Sequence, residues 1–312
     1  MKDKSVRVTG ISWKKALARY WELYLIFLPV AMWYIIFHYV PMGGIIVAFK
    51  QYRVLQGIFA SPWVGLANFR TFMSSPAFIS TLRNTVLISS YNLIFGFPVP
   101  IIFALLLNEV PHKLFKRSVQ TVSYLPHFVS WAIAGGLFYM LFSLNSGPVN
   151  GIIRALGLES INFLGNPATF RPLVVISGIW KSMGWGAIVY IAAIAGVDAE
   201  MYEAAYIDGA NRFHRIFYIT LPTISNVISI MLILQVGNIL TINFEQIFVL
   251  INDVVLGVGE TIDYYIYRVG MYSPNNYSLG AAVGLFKSII GLALVLFTNW
   301  LSKKITDGGG VW

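Results

Sequence analysis

Long apolar runs alternate with short polar stretches along nearly the whole chain. Charge-poor runs recur at roughly 23–41, 84–107, 119–143, 172–195, 224–250 and 278–301. About 20 apolar residues make a helix long enough to cross the ~30 Å hydrocarbon core of a bilayer, so the pattern predicts six transmembrane helices. Prolines punctuate several of them. Pro29 lies in the first run, Pro98 and Pro100 in the second, where a kink is expected, and Pro126 and His127 within the third. The fourth carries Gly178, Gly184, Gly186 and Gly196, small residues that let membrane helices approach closely. Between the third and fourth runs, "LNSGPVNGIIRALGLESINFLGNPATF" has Pro and Gly at both ends and an apolar stretch between, which reads as a short helix at the outer surface.

Composition reinforces the pattern. Of the 312 residues, 57% are hydrophobic and only 11% charged, and the mean hydropathy of +0.70 is beyond typical soluble domains. No loop is long enough to bury a core of its own, so the chain reads as one membrane domain over 23–301, flanked by a basic arm at 1–22 and a tail at 302–312.

The net charge of +9 changes the picture only through its placement, because in a multi-spanning protein the location of Lys and Arg reports orientation rather than a nucleic-acid partner. Lys2, Lys4, Arg7, Lys14, Lys15 and Arg19 precede the first run. Lys113, Lys116 and Arg117 sit between the second and third, Arg212 and Arg215 between the fourth and fifth, and Lys303 and Lys304 follow the sixth. Six crossings put these segments on one side, which the positive-inside bias makes the cytoplasm, with both termini there. The arm "SWKKALARYWELYLIF" reads either as an interfacial elbow helix lying against lipid or as a basic flank serving topology alone. No cleaved signal peptide is read.

The segment "GVDAEMYEAAYIDGANRFHRIFYITLPTI", 196–224, interrupts this apolar chain with charge. Asp198 is placed to cap a helix whose first turn carries Glu200, and Asp208-Gly209 is a natural stop. Asn211 is placed to cap a second short helix, and Pro222 suits the first turn of the next span. On the first helix Ala204 and Ala205 give a low-relief face that another protein can approach, and Glu203 offers a carboxylate to a partner's Arg.

Glu203, Ala204, Ala205, Asp208, Gly209, Ala210 and the distal Ile219, Leu221 and Pro222 resemble the EAA motif of the permease subunits of type I ABC importers. Asp198 stands where many members have Pro. The resemblance implies an all-α permease fold with six transmembrane helices, an N-terminal elbow and a cytoplasmic coupling helix within the 196–222 loop, which fits a cleft of an ATP-binding subunit. It also implies the partners: two cytoplasmic ATPase subunits, a second related permease, and an extracytoplasmic solute-binding protein. "LPHFVSW" in the third span and the tail "KKITDGGGVW" are similar to carbohydrate permeases, with members for pectin-derived rhamnogalacturonan or polygalacturonan fragments among those resembled.

The chain has no G-x-x-x-x-G-K-[ST] sequence, no cysteine, and no His/Glu cluster at metal-ligand spacing. No catalytic or metal-binding residue is assigned, and ATP and Mg are expected on the partner subunits. For a substrate path the expectation rests on polar residues within spans. Gln235, Asn238, Thr241, Glu245 and Gln246 fall within about 140° on a continuous helix. Trp180, Lys181, Trp185 and Tyr190 add rings and a cation from the fourth span, with Glu245 the expected partner of Lys181. The same polar residues serve equally to bind neighbouring helices. An ion-coupled secondary transporter of a small polar solute, with Glu245 or His127 as relay, is the alternative reading.

Overall fold

The computed structural model describes residues 19–237, 239–240, 242–272 and 276–305, with side-chain surroundings up to residue 300. Most of the expected elbow helix and tail lies outside these residues, as do Asn238 and Thr241. Among the described residues the chain is helical, with a single isolated bridge between Lys50 and Trp63.

Helix α1 runs Trp21–Phe49, α2 Pro76–Asn108, α3 Lys113–Phe128, α4 Trp131–Leu141, α5 Pro148–Ala155 and α6 Pro167–Ala195. They are followed by α7 Ala199–Ile207, α8 Arg212–Thr223, α9 Ser225–Gly237, α10 Phe244–Leu250, α11 Ile262–Tyr267 and α12 Tyr277–Ile305. Among the described residues four helices are long and apolar enough to cross a membrane, or five if α8 and α9, bent by 64° at Ile224, are one span.

Two of the six expected spans are therefore not continuous helices. The third, 119–143, is α3 and α4, separated at Val129 and Ser130, where the backbone is extended. Ser130 caps α4 by accepting from the Ile133 amide at 3.3 Å, and this local bond competes with helix continuation. The fifth, 224–250, ends at Gly237 and resumes at Phe244, where Asn243 caps the new helix by accepting from the Gln246 amide at 3.2 Å. The second begins eight residues earlier than its apolar run, with Pro76 in its first turn. Its Thr81, Asn84, Thr85 and Ser89 are buried against protein rather than lipid, so hydropathy alone hides that part of the helix.

The prolines act through wide turns. Ile35–Tyr39, Asn92–Gly96 and Ile216–Thr220 are π turns ending two residues before Pro41, Pro98 and Pro222. Proline supplies no amide and crowds the preceding turn, and a π turn absorbs the mismatch without breaking the helix. Helix α2 thus runs through Pro98 and Pro100.

The core lies in patches between helices. One joins Ile88, Phe170, Ile247 and Leu250, another joins Ala104, Ala187 and Ile194, and a third joins Phe72, Ile262, Tyr265 and Val283. The α3 and α6 backbones touch at Gly184, where a Cβ would lie 2.1 Å from the Ser123 carbonyl oxygen. Asn84 ties α2 to the chain before α11, donating to the carbonyls of Gly257 at 3.1 Å and Glu260 at 3.2 Å, and its Oδ1 accepts from Arg171 at 2.8 Å.

Candidate functional site: a polar cavity and a capped surface loop

The loop of α7 and α8 forms as its residues predict. Asp198 Oδ1 accepts from the Glu200 amide at 3.0 Å and Asn211 Oδ1 from the His214 amide at 2.9 Å, so each helix start is capped locally. Gly209 has φ +78°, a left-handed conformation that suits glycine. Its amide donates to Tyr206 O at 3.1 Å and the Ala210 amide to Ala205 O at 2.9 Å, the double bond pattern of a Schellman stop. Glu203, Ala204 and Asp208 are exposed, Ala205 and Ala210 half-buried, and beside them Ile207 is 85% exposed. An apolar side chain so placed at the end of a polar helix leaves a surface suited to contact. Within the loop Tyr202 ties α7 to Thr220 of α8, their hydroxyls 2.9 Å apart, and the Arg215–Glu109 pair at 3.9 Å ties α8 to the end of α2.

A cavity of about 430 Å³ lies among α2, the α3–α4 break, α6, α9 and α10. Apart from α6, which is continuous, the walls include places where regular helix is disturbed. The π turn of α2 brings Asn92 and Gly96 to it, the α3–α4 break brings His127 and Trp131, and the interruption after Gly237 brings Asn243. Disturbed helix is tolerated at membrane depth where it borders a cavity, because polar groups there have partners other than lipid.

Of the predicted path residues, Lys181, Tyr190 and Gln235 border this cavity. Others do not. Trp180 packs edge-on against Phe138 with centroids 5.5 Å apart, beside a core patch. Trp185 stacks on His127 at 4.4 Å and 1° while remaining 45% exposed. Glu245 is exposed in the first turn of α10, where a carboxylate favours the helix dipole. The expected stripe on one helix is corrected by the interruption between α9 and α10, which breaks the register that placed Gln235 and Glu245 together. Gln246 reaches the cavity wall while its Nε2 donates to Val174 O at 2.5 Å and Ser177 Oγ at 2.9 Å, so it also clamps α10 to α6.

Lys181 is satisfied by backbone, not by the expected carboxylate. Its ammonium donates to the carbonyls of Pro126 at 3.1 Å, His127 at 2.8 Å and Val129. These carbonyls lie at the α3–α4 break, at a helix end that favours positive charge, and the Pro126 carbonyl also accepts from the Val129 amide at 3.2 Å. The ammonium lies 5.6 Å from the Trp131 ring centroid. Ser89, Asn92 and Trp131 border the cavity and were not singled out by sequence reasoning. The available signal was a Ser and an Asn inside an apolar span, and a Ser-Trp pair with Ser at a cap. Among the described residues, no Asp or Glu lines the cavity.

Residues 96–307 match the family described as "Binding-protein-dependent transport system inner membrane component". The chain is 44% identical over 300 residues to Protein LplB of Bacillus subtilis (strain 168), covering 96% of this chain and 94% of that one. It is also 44% identical over 287 residues to the polygalacturonan/rhamnogalacturonan transport system permease protein YteP of the same organism, covering 92% and 89%. Among solved structures it resembles a chain of a bacterial ABC transporter involved in the import of the acidic polysaccharide alginate, with TM-score 0.87, 40% identity, and coverage of 94% of this chain and 99% of that one. The chain belongs to the binding-protein-dependent transport system inner membrane components, as a membrane permease subunit of an ABC importer rather than an enzyme.

Proposed function

We propose that this permease carries acidic oligosaccharides, in a heterodimer with a second related permease, and that α7 couples it to two cytoplasmic ATPase subunits. The observation that carries the substrate reading is the cavity lining: side-chain amides, hydroxyls and aromatic rings with one ammonium and no carboxylate. Amides and rings suit sugar hydroxyls and faces, and among the described residues no carboxylate borders the cavity to repel a uronate. A relative named for polygalacturonan and rhamnogalacturonan and a solved transporter for alginate support the same class.

The coupling reading rests on the exposed, Schellman-stopped α7 with Glu203, Ala204, Ala205, Asp208, Gly209 and Ala210. ATP binding closes the ATPase pair, α7 moves with the cleft that holds it, and α8 carries the motion into α9. The cavity then turns outward to receive saccharide from an extracytoplasmic binding protein, and hydrolysis resets it. Lys and Arg placement supports cytoplasmic termini. The family assignment sets aside the ion-coupled alternative.

The test is reconstitution of the full transporter in vesicles, with ATP hydrolysis followed as oligogalacturonate, alginate oligosaccharide or a neutral oligosaccharide is supplied with the binding protein. Stimulation by the acidic saccharides is expected. Stimulation by the neutral one alone overturns the substrate class.

A further inference from the structure

We propose that one face of α3 lines the inward half of the saccharide path, from the cavity to the cytoplasmic surface, with Arg117 as the cation that a uronate meets on leaving. The proposal rests on reading the cavity as the saccharide path.

Helix α3 forms the cytoplasmic half of the third expected span and, unlike α4, is not apolar. At about 100° per residue its side chains sort into three faces. Ser123 marks the face packed on α6, where its carbonyl meets Gly184. Leu114, Val122 and Leu125 are 82%, 66% and 58% exposed. They fall within about 80° of one another, an apolar face fit for lipid. Lys113, Arg117, Gln120, Thr121, Tyr124 and His127 fall within about 120° on the third face.

That third face is not satisfied from within the chain. Lys113, Arg117 and Thr121 are exposed, and Gln120 and Tyr124 half-buried. Among the described residues the side chains of Lys113, Arg117, Gln120 and Tyr124 make no hydrogen bond or ion pair, and the Thr121 hydroxyl donates only along α3, to Arg117 O at 3.0 Å. Polar groups at membrane depth do not face hydrocarbon without partners. A second permease sealed on this face would bury two cations that this chain leaves uncompensated, so the face suits water and a passing solute.

Its two ends give it direction. His127 borders the cavity, and the face descends about 21 Å along α3 to Lys113 at the cytoplasmic end. Imidazole, phenol, hydroxyl and amide come first and suit sugar hydroxyls. The two cations come last, with no carboxylate among the six residues, and suit a uronate on its way out.

The chain has no cysteine, so a single introduced thiol reports its own surroundings. Thr121 and Val122 are adjacent in depth but lie on different faces. In vesicles of the full transporter with the ATPase side outward, Thr121→Cys is expected to react with a membrane-impermeant maleimide at least about tenfold faster than Val122→Cys, because a thiol in apolar surroundings keeps its proton. Gln120→Cys should behave as Thr121→Cys, and oligogalacturonate should slow both. Arg117→Gln is expected to slow uptake of oligogalacturonate about fivefold, the worth of a solvent-exposed ion pair, and to leave the fully methyl-esterified form unaffected. Equal, slow labelling at all three positions shows the face sealed by lipid or by the second permease and overturns the proposal. Fast labelling that oligogalacturonate does not slow makes the face a water-filled surface and overturns its place on the saccharide path. Equal slowing of both saccharides by Arg117→Gln overturns the role of the cation. The contrast between Thr121→Cys and Val122→Cys needs no saccharide, so it stands or falls separately from the acidic substrate class.

Discussion

The hydroxyls of Tyr202 on α7 and Thr220 on α8 lie 2.9 Å apart. Thr220, 1% exposed, also donates to the Arg215 carbonyl at 3.3 Å, so its proton is engaged and Tyr202 is the donor between them. This bond joins the exposed helix to the π turn that leads toward the membrane. Tyr202→Phe removes it at a cost of about 1 kcal/mol. We expect the variant to assemble with its ATPase subunits but to move less saccharide per ATP hydrolysed. An unchanged transport-to-hydrolysis ratio would show that force passes elsewhere.

Gly209 isolates backbone from packing. A Cβ there would have no atom within 4 Å, yet φ is +78°. Gly209→Val is therefore expected to loosen the Schellman stop by about 1–2 kcal/mol through conformation alone, and Gly209→Asn by less. Co-purification of ATPase subunits should fall in the order glycine, asparagine, valine, and equal recovery for all three would contradict the assignment.

Two glycines on α6 should respond differently to the same change. At Gly184 an added Cβ meets the Ser123 carbonyl oxygen at 2.1 Å, and backbone cannot rotate away. At Gly186 the neighbour is Pro100 Cγ at 3.2 Å, where a few tenths of an ångström suffice. Gly184→Ala should lower thermal stability in detergent by the equivalent of about 3 kcal/mol and Gly186→Ala by about 1 kcal/mol or less.

Lys287 on α12 donates to both carboxylate oxygens of Asp263 on α11, at 2.6 and 2.7 Å, with both side chains largely buried. Removing one partner strands the other charge, so Lys287→Met or Asp263→Leu alone should destabilise by about 3 kcal/mol. The double variant should recover much of that loss. Thermal unfolding of the three variants measures the coupling, and additive losses would show the pair to be independent.

The amino-acid sequence by itself determined the long continuous spans and the capped loop, whose causes lie within a few residues. Apolar runs placed the membrane helices because lipid requires an unbroken apolar surface. Asp198, Gly209 and Asn211 placed the two short helices of the exposed loop because caps bond across two to five residues. The EAA pattern therefore gave the family as well as the local fold.

Only the tertiary structure decided which polar residues share a wall. The prediction of one stripe through Gln235 and Glu245 assumed a continuous helix, and the interruption after Gly237 breaks the phase. Lys181 was expected to seek a carboxylate, but carbonyls some fifty residues away satisfy it, because the α3–α4 break exposes them at that height. Nothing in the sequence singles out Ser89 or Trp131. That each lacks a partner, and that both border one cavity, depends on helices distant in sequence, and a local pattern carries no record of what those helices leave unpaired.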